Sequence, residues 1–262
     1  MPKPSAAESY DWWAEAYDEC NSENDYELWL GQILLPHLER HGLKCGWALD
    51  IGCGTGLAFL PLLERGWQVI GCDVSAGMLR EAERKFRDAV QLLEFDARDL
   101  PRIELSCNMP SQQGFDLVLM LNDVINYLTE DGDLDRVFSG IRKNLSSGGL
   151  AVLDSNTVAL FQRDYALGPS ESLGSRGWRW RGLTKDHGPE EVYEGELEDP
   201  SGLTRPHRQR HWSSNQIQKA LASSGLKCVA ILGQREEAGE IRVSTSPSEA
   251  YDQKTLYVIS HQ

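Results

Sequence analysis

The stretch "ALDIGCGTG", residues Ala48 to Gly56, decides how the chain is read. A short apolar run ends near an acid, Asp50, and is followed by glycines at alternate positions, Gly52, Gly54 and Gly56. Glycine costs about 0.5–1 kcal/mol relative to alanine inside regular structure. Three so close together mark a sharp strand-to-helix turn, a ligand lying against bare backbone, or both. A dinucleotide-binding turn requires G-x-G-x-x-G; here the third glycine comes one residue early and Leu57 holds the position that pattern needs. Asp50 at the strand end would also repel a pyrophosphate and attract a ligand carrying a positive group.

Outward from this turn the chain alternates. Strands are expected at Trp47–Ile51, Gln68–Cys72, Gln91–Phe95, Phe115–Leu121 and Leu150–Asp154, with helices at Leu57–Glu64, Ser75–Arg87 and Leu134–Asn144. Parallel strands need such crossover returns, so the pattern predicts a doubly wound, Rossmann-like α/β core. Ser75 reads as a helix N-cap, and "SSGG" at 146–149 as a helix stop leading tightly into the next strand. Upstream, "YELWLGQILLPHLER" has helical apolar spacing interrupted by Pro36, which marks a start or kink, and is expected to cover one side of the core. After Asp154 the period falls to two in "GWRWRGL", "EVYEGEL" and "HRQRHW", predicting an antiparallel insert of two or three strands after the fifth strand. A helix from Ser213 to Ser224 and strands at Leu226–Leu232 and Leu256–Ser260 complete a seven-stranded sheet, with the polar stretch between those two strands expected to loop out.

Composition narrows the partners. Of 262 residues, 26 are basic and 40 acidic, giving a net charge of -14 that disfavours nucleic acid despite the basic stretch Arg205 to Arg210. The cysteines (Cys20, Cys45, Cys53, Cys72, Cys107, Cys228) contain no C-x-x-C pair, and several sit in apolar runs, which reads as a reducing cytoplasm without a metal site. The first residues lack the apolar centre of a signal peptide, and no run approaches the roughly 20 apolar residues of a membrane span. A cytoplasmic protein acting on a small neutral or cationic molecule is expected, with no nucleic acid or membrane partner.

A cation without phosphate suits S-adenosylmethionine, and at this turn the sequence resembles the class I S-adenosylmethionine-dependent methyltransferases over most of residues 45–155. The resemblance places Asp50, Gly52, Cys53, Gly54 and Gly56 along the methionine part of the cofactor. It implies that Asp73, 23 residues after Asp50 in "VIGCDVSAGML", accepts both ribose hydroxyls, next to Val74, and that Met78 lies on the adenine face. Asp96 in "LEFDARDLP" would take the adenine amino group and the Ala97 amide would donate to the ring. Asp99 competes with Asp96, which is preferred because it directly follows the apolar strand. "FDLVLMLNDVINYL" supplies Leu121 at the cofactor and Asn122, Asp123, Asn126 and Tyr127 facing the opening, and with "LDSNT" it resembles a subset acting on small molecules. No Asn/Asp-Pro-Pro-Tyr tetrapeptide of the nucleic-acid base methyltransferases is present.

Candidate bases are His187, His207, His211, Tyr10, Tyr17 and Asp123; the two later histidines also read as a solvated strand face. "SYDWWAEAYDE" looks like the N-terminal lid of these enzymes, with Tyr10, Trp13 and Tyr17 on one helical face. That implies catalytic roles for Tyr10, Tyr17 and Asp123, with Tyr17 also closing over the cofactor. Trp178, Trp180, Tyr193 and Trp212 of the insert offer an aromatic wall. The organisation expected is a helical lid (1–45), a cofactor-binding core (46–155), a substrate-side insert (156–212) and completion of the sheet (213–262), in a monomer or homo-oligomer. The layout resembles antibiotic-tailoring and amino-sugar N-methyltransferases. O-methylation of a hydroxylated metabolite, a non-catalytic cofactor-binding module and a nicotinamide-dependent oxidoreductase are the competing readings.

Overall fold

Consecutive apolar residues in "WALDI" become a strand buried on both faces. In the computed structural model, which describes residues 5–22, 25–43, 45–104, 114–185, 188–237 and 240–262, this strand is β1 (Trp47–Ile51), with every residue from Ala48 to Ile51 buried. It pairs in parallel with β2 (Gln68–Asp73) on one side and β4 (Phe115–Met120) on the other; β3 (Gln91–Glu94) extends β2 and β5 (Leu145–Asn156) extends β4, all in parallel. β12 (Lys254–His261), β10 (Leu226–Glu237) and β11 (Glu240–Ser244) then add antiparallel strands. The order is β11-β10-β12-β5-β4-β1-β2-β3. The chain winds outward from β1 to β3 and then restarts at β4 on the other side of β1. That reversal opens a crevice at the carboxyl ends of β1 and β4, where ligands of doubly wound sheets bind.

Alternate residues feed two cores, one on each face. Leu49, Ile51, Val118 and Met120 pack with Phe138 and Ile141 of α5 (Asp133–Asn144) and Leu221 of α7 (Ser214–Ser223). Ala48, Leu117 and Leu119 pack on the opposite side. There they meet Leu30 and Leu34 of a π-helical segment (Glu27–Leu34), Leu38 of α2 (Leu35–Glu39), Leu62 of α3 (Phe59–Leu63) and Ala82 of α4 (Ala76–Phe86). Pro36 stands at the start of α2, where its missing N–H costs nothing. Ser75 and Ser213 cap α4 and α7 as their sequences suggest. No helix among the described residues is long and apolar enough to cross a membrane.

Three expectations are corrected. The sheet has eight strands: the stretch expected to loop out instead folds β11 back on β10, pairing Val243 with Gln234 and Ile241 with Glu236. Charged residues interleaved with these apolar ones make an edge strand look like a loop. The insert is a four-stranded antiparallel sheet of β6 (Glu171–Leu173), β7 (Trp178–Gly182), β8 (Val192–Glu198) and β9 (Thr204–Arg210), the short β6 having too few residues to show a period. Finally, β5 starts at Leu145, and "SSGG" forms an irregularity within it, between the partners of Phe115 and Leu117.

Candidate active site

The loop after β1 turns sharply because the Gly52 and Cys53 N–H groups both donate to the Cys72 carbonyl, at 2.7 and 3.0 Å. Gly52 (φ +71°) has no room for a side chain, since a Cβ would lie 2.5 Å from Val124; at Gly54 (φ +55°) a Cβ would meet open space. The Gly54 N–H donates to Asp73 Oδ2 and the Ser75 N–H to Asp73 Oδ1, both at 2.8 Å, so the carboxylate ending β2 is fixed by backbone on two sides. A cavity of about 280 Å³ opens in front of these groups, at the crevice between β1 and β4.

Its charge is one-sided. Burial, and then the neighbouring Asp73, push Asp50 up to about 8, and burial raises Asp73 against the pull of its backbone donors. Arg98 is the only lysine or arginine among the described lining residues, and it forks onto the Asp96 carboxylate, with Nε 2.9 Å from Oδ1 and a terminal nitrogen 2.5 Å from Oδ2. That guanidinium holds Asp96 below its ordinary value.

Helix α1 (Ala6–Cys20) closes the top. A capping box, in which Ser5 accepts from the Glu8 N–H and Glu8 accepts from the Ser5 N–H, starts it. Its underside is latched to α4 and to the glycine loop: Asp11 Oδ1 accepts from the hydroxyl of the α4 cap Ser75 (2.7 Å) and the Gly77 N–H (2.6 Å), and Asp18 accepts from Lys85 of α4 (2.7 Å) and from the Thr55 hydroxyl of the loop. Tyr10, Trp13 and Tyr17 share one face, with Tyr17 4.9 Å from Trp13 between ring centroids. Tyr10 and Tyr17 reach the cavity. Tyr10 Oη donates to Tyr127 Oη (2.9 Å), which lies 3.0 Å from His207 Nδ1 on β9. Burial raises the pKa of all three phenols and lowers that of His207 to about 4, so the group holds neutral hydroxyls beside a neutral imidazole.

The far wall is a turn with two left-handed residues, Asn122 (φ +61°) and Asp123 (φ +58°), whose N–H groups both donate to Asp154, at 2.9 and 2.6 Å. Lys254 of β12 lies beneath it, 3.1 Å from Asp154 and 3.5 Å from Asp123. Burial alone would lower the lysine's pKa, and the two carboxylates more than offset it. Burial lifts Asp123 to about 6 against the opposing Lys254 charge.

The cavity therefore brings together Tyr10, Tyr17, Asp50, Gly52, Cys53, Gly54, Asp73, Val74, Met78, Asp96, Ala97 and Leu121. Gly56 and Asp123 are not among its lining residues. Gly56 (φ +81°) serves the turn, where a Cβ would strike Phe59, and Asp123 is engaged by Lys254 and the Gln209 amide. The histidines expected on a solvated face are buried: His211 accepts from the Glu190 N–H at Nδ1 and meets Glu249 at Nε2, which makes it a brace. His187 and Cys107 lie outside the described residues. None of the four insert aromatics lines this cavity: Trp178 packs edge-on to Trp12, Trp180 to His207, Tyr193 stacks on Phe161, and Trp212 enters the core. Sequence reasoning missed Asp11, Asp18, Tyr26, Thr55 and Lys254. A lysine opening the strand "KTLYVIS" gives no local sign of being buried.

Residues 48–149 match the family described as "Methyltransferase domain". This part of the chain is a methyltransferase domain. The cypemycin N-terminal methyltransferase of a Streptomyces species is 34% identical over 116 residues, 44% of this chain and 44% of its own. The chain spans about half the length of the curated relatives it matches. Among solved structures, a S-adenosylmethionine-dependent methyltransferase from Clostridium acetobutylicum ATCC 824 superposes with a TM-score of 0.73 at 21% identity, covering 96% of this chain and 98% of its own. The sugar N-methyltransferase KedS8 from Streptoalloteichus sp ATCC 53650 does so with a TM-score of 0.65 at 18% identity, covering 100% and 96%. The methyltransferase domain thus holds the glycine loop, Asp73, Asp96 and the Leu121–Asp123 turn, while α1, β9 and β12 bring Tyr17, His207 and Lys254 from outside it.

Proposed function

We propose that the protein transfers a methyl group from S-adenosylmethionine to the amine of a small molecule. One observation carries the cofactor half of this reading: the cavity at the switch point presents two carboxylates, the buried Asp50 and the partly buried Asp73, and no unpaired cationic side chain among its described lining residues. A pyrophosphate would be repelled there, whereas an ammonium and a sulfonium relieve the mutual repulsion of the two acids. The open space at Gly54 lets a ligand lie on the backbone. Asp73 is presented for a ribose, Met78, Asp96 and Ala97 for an adenine, and Asp50 with Gly52 and Cys53 for the amino-acid moiety. When bound, the cofactor supplies an electrophilic methyl.

The chain's own part is to hold a nucleophile in line and keep water out. Tyr10, Tyr17 and Tyr127 surround the place where an acceptor would enter. Burial keeps them protonated, so they orient by hydrogen bonding and do not serve as bases. An amine that arrives neutral needs no base as the new bond forms, whereas a hydroxyl does, which favours nitrogen. The N-methyltransferases named above agree with that choice.

The test is calorimetry with S-adenosylhomocysteine and NADH, followed by incubation with labelled S-adenosylmethionine and matched panels of amines, amino sugars and phenols. Binding of the first nucleoside alone and label on nitrogen are expected. NADH binding without S-adenosylhomocysteine binding, or label confined to phenols, overturns the corresponding half.

A further inference from the structure

A chain of hydrogen bonds runs from the half-buried ammonium of Lys254 to the cavity, and its direction is fixed by chemistry. Lys254 Nζ, which can only donate, lies 3.2 Å from Asn122 Oδ1. The carboxamide oxygen is therefore turned to the lysine and its NH₂ away from it. Asn122 Nδ2 in turn donates to Tyr17 Oη over 2.9 Å. With its oxygen accepting from Asn122, the Tyr17 hydroxyl has its hydrogen to give, and no acceptor for it is found among the described residues. Tyr17 and Asn122 both line the cavity.

We propose that Lys254 is a positioning residue that makes Tyr17 a hydrogen-bond donor toward a carboxylate oxygen of the bound ligand, the α-carboxylate of the S-adenosyl cofactor. This rests on the cofactor reading above. Arg98, the only guanidinium among the described residues lining the cavity, is committed to Asp96. A carboxylate entering the methionine end therefore has to be met by neutral donors, and Tyr17 is one whose polarity the fold dictates. Asp154 and Asp123 hold the ammonium at 3.1 and 3.5 Å, keeping its remaining protons engaged and the lysine in register. Deleting the lysine frees Asn122 to flip, after which Tyr17 could turn its hydrogen to the amide oxygen and show the ligand only lone pairs.

The experiment compares S-adenosylhomocysteine with S-adenosyl-3-thiopropylamine, which keeps the amine and lacks the carboxylate, by calorimetry on the whole chain. Tyr17→Phe and Lys254→Met are each expected to weaken the carboxylate-bearing ligand about tenfold or more and the decarboxylated one less than twofold. Lys254→Met strands the buried Asp154 and the half-buried Asp123, so Asn122→Asp is the companion. It keeps the shape and replaces the donor to Tyr17 by an acceptor, and is expected to weaken the first ligand selectively in the wild-type background. In the Tyr17→Phe background its added effect should shrink to less than threefold. Equal losses for both ligands, or unchanged affinity for S-adenosylhomocysteine whatever happens to an acceptor's KM, overturn the proposal while leaving the cofactor reading standing. Failure of wild-type protein to bind either ligand removes both.

Discussion

Tyr127 Oη lies 3.0 Å from His207 Nδ1, and the other ring nitrogen of His207 is buried with no hydrogen-bond partner among the described residues. Tyr10, Trp13 and Trp180 surround the imidazole, with centroids 5.5, 6.2 and 5.6 Å away. No carboxylate among the described residues pairs with the ring, and burial disfavours an imidazolium there.

Burial lowers His207 from 6.5 to about 4, so between those values the unfolded chain binds a proton that the native chain does not. Stability from this group is full above pH 6.5 and declines as pH falls toward 4, by up to about 3 kcal/mol. ¹⁵N-histidine spectra should show His207 neutral from pH 8 to 5. The difference in melting temperature between His207→Phe and wild type should shift in favour of the variant over the same acid range. A titration near pH 6.5 would refute the assignment.

Asp50 has its pKa shifted the other way, upward, and the effect falls on ligand binding. Held up at about 8 by burial and Asp73, it is protonated in the free chain at neutral pH, while a cationic ligand favours its ionised form. Affinity for S-adenosylmethionine is expected to rise up to tenfold per unit between pH 6.5 and 8 and then level off, with proton release visible as a dependence of calorimetric heat on the buffer. Asp50→Asn should bind more weakly and lose that slope. A wild-type affinity independent of pH would contradict the placement of Asp50 beside the ligand's charge.

Asp73 carries two backbone hydrogen bonds of 2.8 Å as well as its proposed contacts with a ribose. Asp73→Ala should reduce S-adenosylhomocysteine affinity by about 10- to 100-fold, more than loss of one neutral hydrogen bond, because charge-assisted bidentate contacts are stronger. Calorimetry on protein with an intact circular dichroism spectrum decides it, and a loss under threefold would remove the ribose role.

The latch between α1 and α4 should control exchange of the ligand. Asp11→Ala removes the acceptor for both the Ser75 hydroxyl and the Gly77 N–H, a loss of about 1 kcal/mol by comparison with helix caps. Dissociation of S-adenosylhomocysteine, followed through the fluorescence of Trp12 and Trp13, is expected to accelerate severalfold while association changes little. An unchanged off-rate would mean that α1 is a fixed roof.

What the sequence determined by itself is the part whose physics is local. β1, its glycine turn and Asp73 at the end of β2 are legible because a strand buried on both faces must be apolar throughout, a left-handed turn favours glycine, and a carboxylate directly after a strand has one place to go. The tertiary structure decided the rest. Edge strand β11 was hidden because one exposed face permits charges, and the contacts of Asp123 with Lys254 and Gln209 come from strands far along the chain. Lys254 lies 132 residues from Asn122, and His207 lies 80 from Tyr127. Their burial, charge state and hydrogen-bond direction come from groups remote in the chain, and a buried lysine or histidine at a strand position has the same neighbours in sequence as a solvated one.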